Sequence, residues 1–516
     1  MNGLLSFVIF FPVLTGIFIG LFGARTFFKN RIKLIAIIAS IIEMAASVLI
    51  FLNYDKSIGG IQFIDYFDSW IPFSSFTARY LIGVDGLSTP LILLTGILGF
   101  CAIVASLKIN KRENEYFMWL LILQGVVVGV FSSLDLLLLF IFWEAELIPM
   151  YFLISIWGTG RSQYSAMKFL IFTLTSGALL LMGILAIYFS SGTFVMFNID
   201  ELGLIGISGS MFLSVVPPVL IFLLFFVAFA IKLPLFPFHS WLPDAHTDAP
   251  TAVSIMLAGV LLKMGGYGIL RINVDLFNKI DFSILIKFAP YFAILGAFSV
   301  LYGAVLTIRQ TDLKRLIAFS SVSHMGYIIL GVASFGAFSE SGETIGLGGT
   351  ALQLFTHGTI TGLAFLLVGL TYERTHTRNI PELGGLALKM PLIATFFVIA
   401  GFASLGLPGL SGFVAELMIF VGTFKLGGIY AISTVAAVSG VILAAAYTLW
   451  MIQRAYFGLS PDPKSPVFKN FDSLEDMSLI ELSAVVLLTF TIVLVGVYPS
   501  IITDLFNIGV GEIFSR

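Results

Sequence analysis

Charged side chains are scarce in this chain of 516 residues, of which only 11% are Asp, Glu, Lys or Arg. Soluble globular domains carry about 25% charged residues. With 58% hydrophobic residues and a mean hydropathy of +1.04, the chain has more apolar surface than a water-soluble core could bury. The shortage of charge therefore excludes a soluble domain and predicts a polytopic membrane protein.

Cysteine is nearly absent, since Cys101 is the only one. It can form no disulfide within the chain, and one thiolate cannot hold an iron–sulfur cluster, which needs several. The net charge of −2 gives no basic excess for binding nucleic acid. The sequence also lacks a glycine-rich phosphate loop and a dinucleotide fingerprint. We therefore expect no nucleic acid partner, and no cofactor or metal held by this chain.

Apolar windows of about 20 residues, the length that crosses a bilayer as a helix, follow one another along the chain. The first window has no positive charge before it, which argues against a signal peptide. The windows predict an all-α polytopic membrane protein with about 14 transmembrane helices, at 3–23, 34–53, 86–107, 115–133, 134–157, 164–190, 212–236, 251–272, 285–307, 313–335, 349–371, 390–424, 430–453 and 478–499.

Basic residues are distributed unevenly between the predicted loops. Most lie in loops on one side of the membrane, beginning with Arg25, Lys29, Arg31 and Lys33 after the first span. Cytoplasmic loops collect Lys and Arg. The distribution therefore predicts that this side faces inward and that the N-terminus lies outside.

Two of the predicted spans contain residues that interrupt a helix. Span seven runs into Pro234 and Pro237, and span twelve contains Gly406, Pro408 and Gly409. Broken helices at membrane depth are tolerated only beside protein or a water-filled cavity. The breaks are five spans apart, and an odd offset reverses direction across the membrane, so we expect two inverted five-helix repeats. This divides the chain into N-terminal helices 1–3 (1–114), a first repeat of helices 4–8 (115–275), a second repeat of helices 9–13 (276–457), and helix 14 with the C-terminal tail (458–516).

Three ionisable residues lie deep in the predicted spans. Lys263 is roughly ten residues, or ~15 Å of helix, from either end of its span. Glu144 lies at similar depth, and Lys232 ends the apolar part of span seven. A charge at the bilayer centre costs at least ~3 kcal/mol, so such residues usually face the protein interior and mark ion paths. Two other interpretations compete with this one. Lys232 could extend its ammonium group to the membrane surface, and Glu144 could be a hydrogen-bonded residue with a structural role.

Burial favours pairing between opposite charges, and the predicted partner of Lys232 is Glu144. Glu146 is rated lower as a partner, because a residue two positions on lies on another helix face.

Further candidates lie in the second repeat and near one membrane surface. Glu416 follows the break in span twelve, where the helix dipole could also stabilise an ordinary buried glutamate. His324 and His357 lie in spans ten and eleven and could carry protons, since histidine titrates near neutrality; satisfied core histidines are equally common. Lys168 is either part of a path or a snorkelling anchor.

Four polar residues follow the break in span seven: His239, Asp244, His246 and Asp248. They either line an inner entrance or solvate a loop. Their spacing fits no strong metal-ligand motif.

Several stretches closely resemble those of the antiporter-like subunits of respiratory complex I, the proton-translocating NADH:quinone oxidoreductase. The resemblance covers nearly the full chain, and Glu416 favours the M-type branch, since L-type and N-type relatives usually carry lysine there. The stretches are Leu81–Ser88 (LIGVDGLS), Trp143–Leu147 (WEAEL), Lys232–His246 (KLPLFPFHSWLPDAH), Leu262–Gly268 (LKMGGYG), Asp312–Arg315 (DLKR) and Ser321–Gly326 (SVSHMG).

The resemblance implies a proton-translocating subunit of the membrane arm. Glu144 and Lys232 would form the coupling ion pair, and Lys263 would be the central proton-carrying lysine. Glu416 would pass protons to the outside, with His324 and His357 in the connecting hydrated axis. It implies NADH, FMN, iron–sulfur clusters and quinone in partner subunits. Other complex I membrane subunits, including neighbouring antiporter-like ones, would be its partners, among the lipids of a bacterial cytoplasmic membrane.

Two other classes of function stay open. Mrp-type cation/proton antiporter and membrane hydrogenase subunits share the pattern of Glu144, Lys232 and Lys263. A scaffold that merely holds other membrane subunits is the third class, in which the buried polar groups are structural.

Overall fold

A computed structural model describes residues 3–23, 31–72, 77–199, 202–209, 216–337, 344–458, 465, 467–468 and 471–515. Two of the basic residues that predict the orientation, Arg25 and Lys29, lie outside the described residues. The described part is mostly α-helical, which confirms the predicted fold class.

The described residues of the N-terminal part form four helices and one hairpin. They are α1 (Leu4–Phe22), α2 (Ile32–Asn53), β1 (Gln62–Pro72), β2 (Thr77–Val84), α3 (Thr89–Val104) and α4 (Glu113–Ser132). The antiparallel β1–β2 hairpin departs from the all-α prediction. The carboxylate of Asp65 in β1 accepts hydrogen bonds from the backbone N–H groups of Gly3 (2.7 Å) and Ser6 (3.0 Å). The hairpin thus satisfies donors at the start of α1 that an apolar helix cannot satisfy itself.

The next part contains the predicted break in span seven and a second interruption. The helices are α5 (Leu136–Ala145), α6 (Leu147–Trp157), α7 (Ser162–Ser191), α8 (Pro218–Lys232), α9 (Trp241–Asp248) and α10 (Thr251–Ile280). The proline-containing segment between α8 and α9 confirms the predicted break. The predicted fifth span is divided into α5 and α6 at Glu146. Two stretches of α10, Leu257–Leu261 and Ile269–Leu276, are π-helical.

The remaining helices contain the second predicted break. They are α11 (Phe282–Ile308), α12 (Leu313–Val332), α13 (Ile345–Thr375), α14 (Pro391–Ser404), α15 (Ser411–Phe424), α16 (Gly428–Ile452), α17 (Leu479–Val497) and α18 (Ser500–Ser515). Between α14 and α15, Gly406 and Gly409 adopt φ angles of +73° and +93°. Glycine enters this left-handed region without the penalty that a Cβ atom imposes. The short helix α18 is not among the predicted spans.

Eleven helices in the described part of the chain are long and apolar enough to cross a membrane. The shorter α3, the interrupted α8 and the α14–α15 pair supply three more, which matches the fourteen predicted spans. The apolar windows of α10 and α12 are 100% buried and that of α13 is 94% buried, whereas those of α1 and α16 are 33% and 28% buried. The interior of the protein is therefore built around α10, α12 and α13.

A buried ion network fixes α10 to the loop after β2. Arg271 lies 2.7 Å from Asp85 and 3.3 Å from Asp275, and its Nε donates to the hydroxyl of Tyr267 at 3.1 Å. These side chains are at most 2% exposed. Removing one partner of a buried pair leaves an uncompensated charge.

We expect Asp85→Ala to lower the free energy of unfolding by about 3 kcal/mol, because Arg271 loses one of its two carboxylates. The measurement is the thermal midpoint of the detergent-solubilised protein. Asp68→Ala is the matched control, since it removes the carboxylate of the exposed pair between Arg79 and Asp68. Equal midpoints for the two variants would contradict an anchoring role for Asp85.

Candidate functional site

The first cluster of the site is a fully buried ion pair at the end of α8. Lys232 pairs with Glu146, and both side chains are 0% exposed. The rings of Trp143 and Phe169 lie 5.6 Å from the Lys232 Nζ and cover the ammonium group. In such an apolar site, each charge depends on the other member of the pair for compensation.

The partner of Lys232 differs from the predicted one, because Glu146 occupies the position expected for Glu144. The prediction assumed a continuous helix, in which residues two positions apart point to different faces. Glu146 instead lies at the joint between α5 and α6, where its backbone N–H bonds to the Glu144 carbonyl. The joint between α5 and α6 therefore places the carboxylate of Glu146 beside Lys232.

Glu144 remains beside this pair without joining it. Its Oε1 is buried, has no hydrogen-bond partner among the described residues, and lies against Gly177 of α7, where a Cβ atom would collide with it. Glu144 also lies within electrostatic reach of both Lys232 and Glu146. Two carboxylates therefore surround one ammonium group.

Lys263 is the centre of the second cluster. It is 0% exposed in the middle of α10, and its Nζ donates to the Ala258 carbonyl and lies 2.8 Å from the Nδ1 of His357. The π-helical stretch Leu257–Leu261 directly precedes it, and π turns often occur at functional sites. None of the ion pairs in the described part of the chain includes Lys263. A lysine in such surroundings changes its protonation state readily.

A line of side chains leads from Lys263 to the second broken helix. The rings of His357 and His324 are 5.3 Å apart, and the Nδ1 of His324 lies 3.5 Å from Glu416. The Nε2 of His324 lies 3.4 Å from the hydroxyl of Ser404, the last residue of α14. The structure therefore brings together four predicted residues from α10, α12, α13 and α15.

Space and unpaired polar atoms along this line fit bound water. The Nε2 of His357 and the hydroxyl of Tyr447 are buried without a partner among the described residues. A cavity of about 30 Å³ lies at Ser404, Tyr447 and Thr361. Such a volume is enough for a water molecule, which can bridge groups that do not touch directly.

The break in span twelve positions Glu416. A Cβ atom on Gly406 would lie 2.7 Å from the Glu416 Oε2, and the φ of Gly406 is +73°. Glycine is thus required at this position both for the backbone conformation and for the approach of the carboxylate. The helix-breaking sequence and the acidic group form one local unit.

Lys168 lies apart from this line. Its Nζ is 2.7 Å from Asp244 and 2.8 Å from the Ser240 carbonyl, and Arg315 lies 3.6 Å from Asp244. This ion cluster is at the predicted inner surface, and Lys168 contacts none of the other candidates in the described part of the chain.

The other polar residues after the break in span seven are dispersed. His246 is 0% exposed, stacks on Phe365 at 4.5 Å, and has no partner at either ring nitrogen among the described residues. His239 packs against Tyr302 at 5.1 Å, and Asp248 accepts a 2.6 Å hydrogen bond from Ser165. In the described part of the chain, no group of three His, Cys, Asp or Glu residues could hold a metal ion.

Glu43 is a buried acid that the sequence analysis missed. It lies in α2 and is 0% exposed. The signal was available, since a charged residue inside the apolar window 34–53 meets the same criterion that identifies Lys263.

Comparison with known sequences gives a consistent match. Residues 133–443 match the family described as NADH:quinone oxidoreductase/Mrp antiporter, TM. Subunit M of the NADH-quinone oxidoreductase of Rhodobacter capsulatus is 36% identical and aligns over 99% of this chain and 96% of its own. Chain 4 1 of the NAD(P)H-quinone oxidoreductase of Synechococcus sp. (strain JA-3-3Ab) is 40% identical over 88% of this chain and 83% of its own.

Solved structures with the same fold cover the whole chain. A chain of respiratory complex I from Thermus thermophilus with bound NADH has a TM-score of 0.82 and 26% identity, covering 99% of both chains. A chain of the Mrp complex from Dietzia sp. DQ12-45-1b also has a TM-score of 0.82, with 21% identity, covering 100% of this chain and 98% of its own. At that lower identity, the likeness concerns the fold alone.

We expect Glu146→Gln to destabilise the protein by about 3 kcal/mol, because it removes the carboxylate that pairs with Lys232 and leaves only the more distant Glu144 to compensate the charge. Glu144→Gln is the matched control, since it removes a carboxylate two residues away and leaves the ion pair intact. Adding Lys232→Gln to Glu146→Gln should restore much of the loss, and the thermal midpoints measure all three. A larger loss for Glu144→Gln would show that Glu144 is the true partner.

Proposed function

The chain belongs to the family of NADH:quinone oxidoreductase and Mrp antiporter transmembrane proteins, and we propose that it translocates protons as the M-type antiporter-like subunit of a NADH:quinone oxidoreductase. One observation carries the proposal. Lys263 is buried with no carboxylate partner among the described residues and begins a line of titratable groups that ends at Glu416.

Protons would follow this line in short steps. Lys263 gives its proton to the Nδ1 of His357, which lies 2.8 Å away. Water carries it across the 5.3 Å between the rings of His357 and His324, and His324 passes it to Glu416 at 3.5 Å. Histidine suits the middle of such a path because it gains and loses protons near neutral pH.

The Lys232–Glu146 pair would act as the switch for Lys263. Separating two unit charges from ~4 to ~8 Å costs ~2 kcal/mol at an effective dielectric of ~20. Moving one proton against ~100 mV costs ~2.3 kcal/mol, which is the same order. A freed Lys232 charge would disfavour the protonated form of Lys263 and push its proton toward His357. Glu144 supplies a second carboxylate to which Lys232 can move.

The packing of α10 supports mechanical coupling between switch and path. A Cβ atom on Gly265 would lie 2.7 Å from the backbone nitrogen of Leu233, the residue after Lys232. A shift of the broken segment between α8 and α9 would therefore displace the helix that carries Lys263.

We place the energy source in partner subunits. The chain would bind no redox cofactor, and NADH, FMN, iron–sulfur clusters and quinone would be held elsewhere in the complex. The solved relatives that match come from multi-subunit membrane complexes, which supports other membrane subunits, including neighbouring antiporter-like ones, as partners. Lys168 and the surrounding ion cluster would lie near the proton entrance.

The same proposal includes the orientation of the chain in the membrane and its division into two repeats. The chain would lie in a bacterial cytoplasmic membrane with its N-terminus outside, which agrees with the distribution of basic residues. The segments 115–275 and 276–457 would be the inverted repeats, since the breaks in spans seven and twelve lie at corresponding positions in them.

A cation/proton antiporter subunit is the second candidate. The observation that favours it is that the family matched by residues 133–443 also includes Mrp antiporter proteins. Identification of the subunits that copurify with the chain separates the two: NADH-oxidising and iron–sulfur subunits support the redox-driven pump, and an assembly without them supports the antiporter.

Lys263→Arg tests whether Lys263 changes its protonation state. Arginine keeps the positive charge but is effectively never deprotonated. We expect assembled complexes with Lys263→Arg to take up protons into vesicles on the order of tenfold more slowly, while assembling better than Lys263→Ala. Lys279→Arg, at the end of the same helix, is the control and should pump normally. Near-normal pumping by Lys263→Arg would reject the proposed path.

A further inference from the structure

Glu43 and Gln124 form a polar pair between α2 and α4, away from the line of titratable groups. Both side chains are buried, Glu43 at 0% and Gln124 at 1% exposure. The Gln124 Nε2 donates a hydrogen bond to the Glu43 Oε2. In the described part of the chain, none of the ion pairs includes Glu43.

Each member of the pair has one oxygen atom left over. The Glu43 Oε1 and the Gln124 Oε1 are both buried without a hydrogen-bond partner among the described residues. Both atoms are acceptors when Glu43 is ionised, so they cannot satisfy each other. One added proton on Glu43 removes both defects. A carboxylic acid and a carboxamide then close a ring with two hydrogen bonds, in which each group donates once and accepts once.

The helices packed against α2 provide no counter-ion at this depth. Helix α1 contains no titratable residue, and the one in α3, Cys101, approaches the carbonyl of Ala484 in α17. The titratable residues of α4 lie in its first turn, where Glu113, Glu115 and Tyr116 contact Lys33, Arg112 and Ser106.

Burying an ionised carboxylate with a single hydrogen bond and no cation is strongly unfavourable, whereas a neutral acid with two hydrogen bonds is not.

The geometry points to a proton-binding site: we propose that Glu43 permanently holds a proton and forms a closed acid–amide pair with Gln124 that joins α2 to α4. Helices in lipid gain little from apolar contact, so interhelical hydrogen bonds and small residues hold them together. Gly99 of α3 supplies the space, because a Cβ atom there would overlap the Gln124 carboxamide.

This proton does not exchange with the Lys263 path. Helix α3 lies between the two sites, and its Leu94 and Leu98 pack against Gly358 of α13 and Gly259 of α10. Both leucine side chains are apolar and offer no route for a proton. The bound proton therefore has a structural role.

The test is the infrared spectrum of the protein purified with its associated subunits. We expect the difference between wild type and Glu43→Gln to show the loss of one carbonyl band of a neutral carboxylic acid across the neutral pH range. Glu115→Gln, which removes an exposed, ion-paired glutamate, is the control and should remove a carboxylate band. Loss of a carboxylate band in Glu43→Gln would overturn the proposal.

The same variant and one further variant test the structural role. Glutamine at position 43 can close the same two-bond ring with Gln124, so Glu43→Gln should keep the thermal midpoint and the pumping rate of the wild type. Glu43→Leu leaves the Gln124 carboxamide unpaired and should lower the midpoint or the yield of assembled protein. A Glu43→Leu variant as stable as the wild type, or slowed pumping in Glu43→Gln, would contradict a fixed structural proton.

Discussion

The constraint on which this structure depends is a lysine that is buried in the membrane and has no carboxylate partner among the described residues. Lys263 can be accommodated only where polar groups converge and where its charge can be lost. Helices α10, α12 and α13 are accordingly among the most deeply buried. They supply the Ala258 carbonyl, His357 and His324, and the second broken helix supplies Glu416. The interior is thus organised around Lys263 and the titratable side chains that lead away from it.

The two broken helices perform different tasks in this arrangement. The first ends at Lys232, which two carboxylates surround, so that its charge can be compensated in more than one way. The second begins again near Glu416, where Gly406 leaves room for the carboxylate. Interruption of a helix frees backbone and side-chain groups that a regular helix would engage. In the proposed function, the switch at one break and the outlet at the other are connected through the helix that carries Lys263.

Much of this structure could be predicted from the sequence, because a lipid environment restricts the length of helices, the placement of charged residues and the positions where proline and glycine are tolerated. The spans, both breaks and the meeting of Lys263, His357, His324 and Glu416 follow from hydropathy, proline and glycine positions, and family resemblance. The partner of Lys232 was missed, although Pro149 cannot donate a hydrogen bond to the Ala145 carbonyl and so signals an interruption near Glu146. The β1–β2 hairpin also escaped prediction, because its pairing depends on contacts that hydropathy does not record.

The central claim is that Lys263, His357, His324 and Glu416 act in series, and a double-variant cycle tests it most directly. Proton uptake per NADH oxidised is measured in vesicles containing the assembled complex with His357→Leu, Glu416→Gln or both. If both residues belong to one path, the loss of either one already blocks that path. The double variant should therefore pump no worse than the poorer single variant. Losses that multiply in the double variant, or normal pumping by His357→Leu, would contradict a single continuous path.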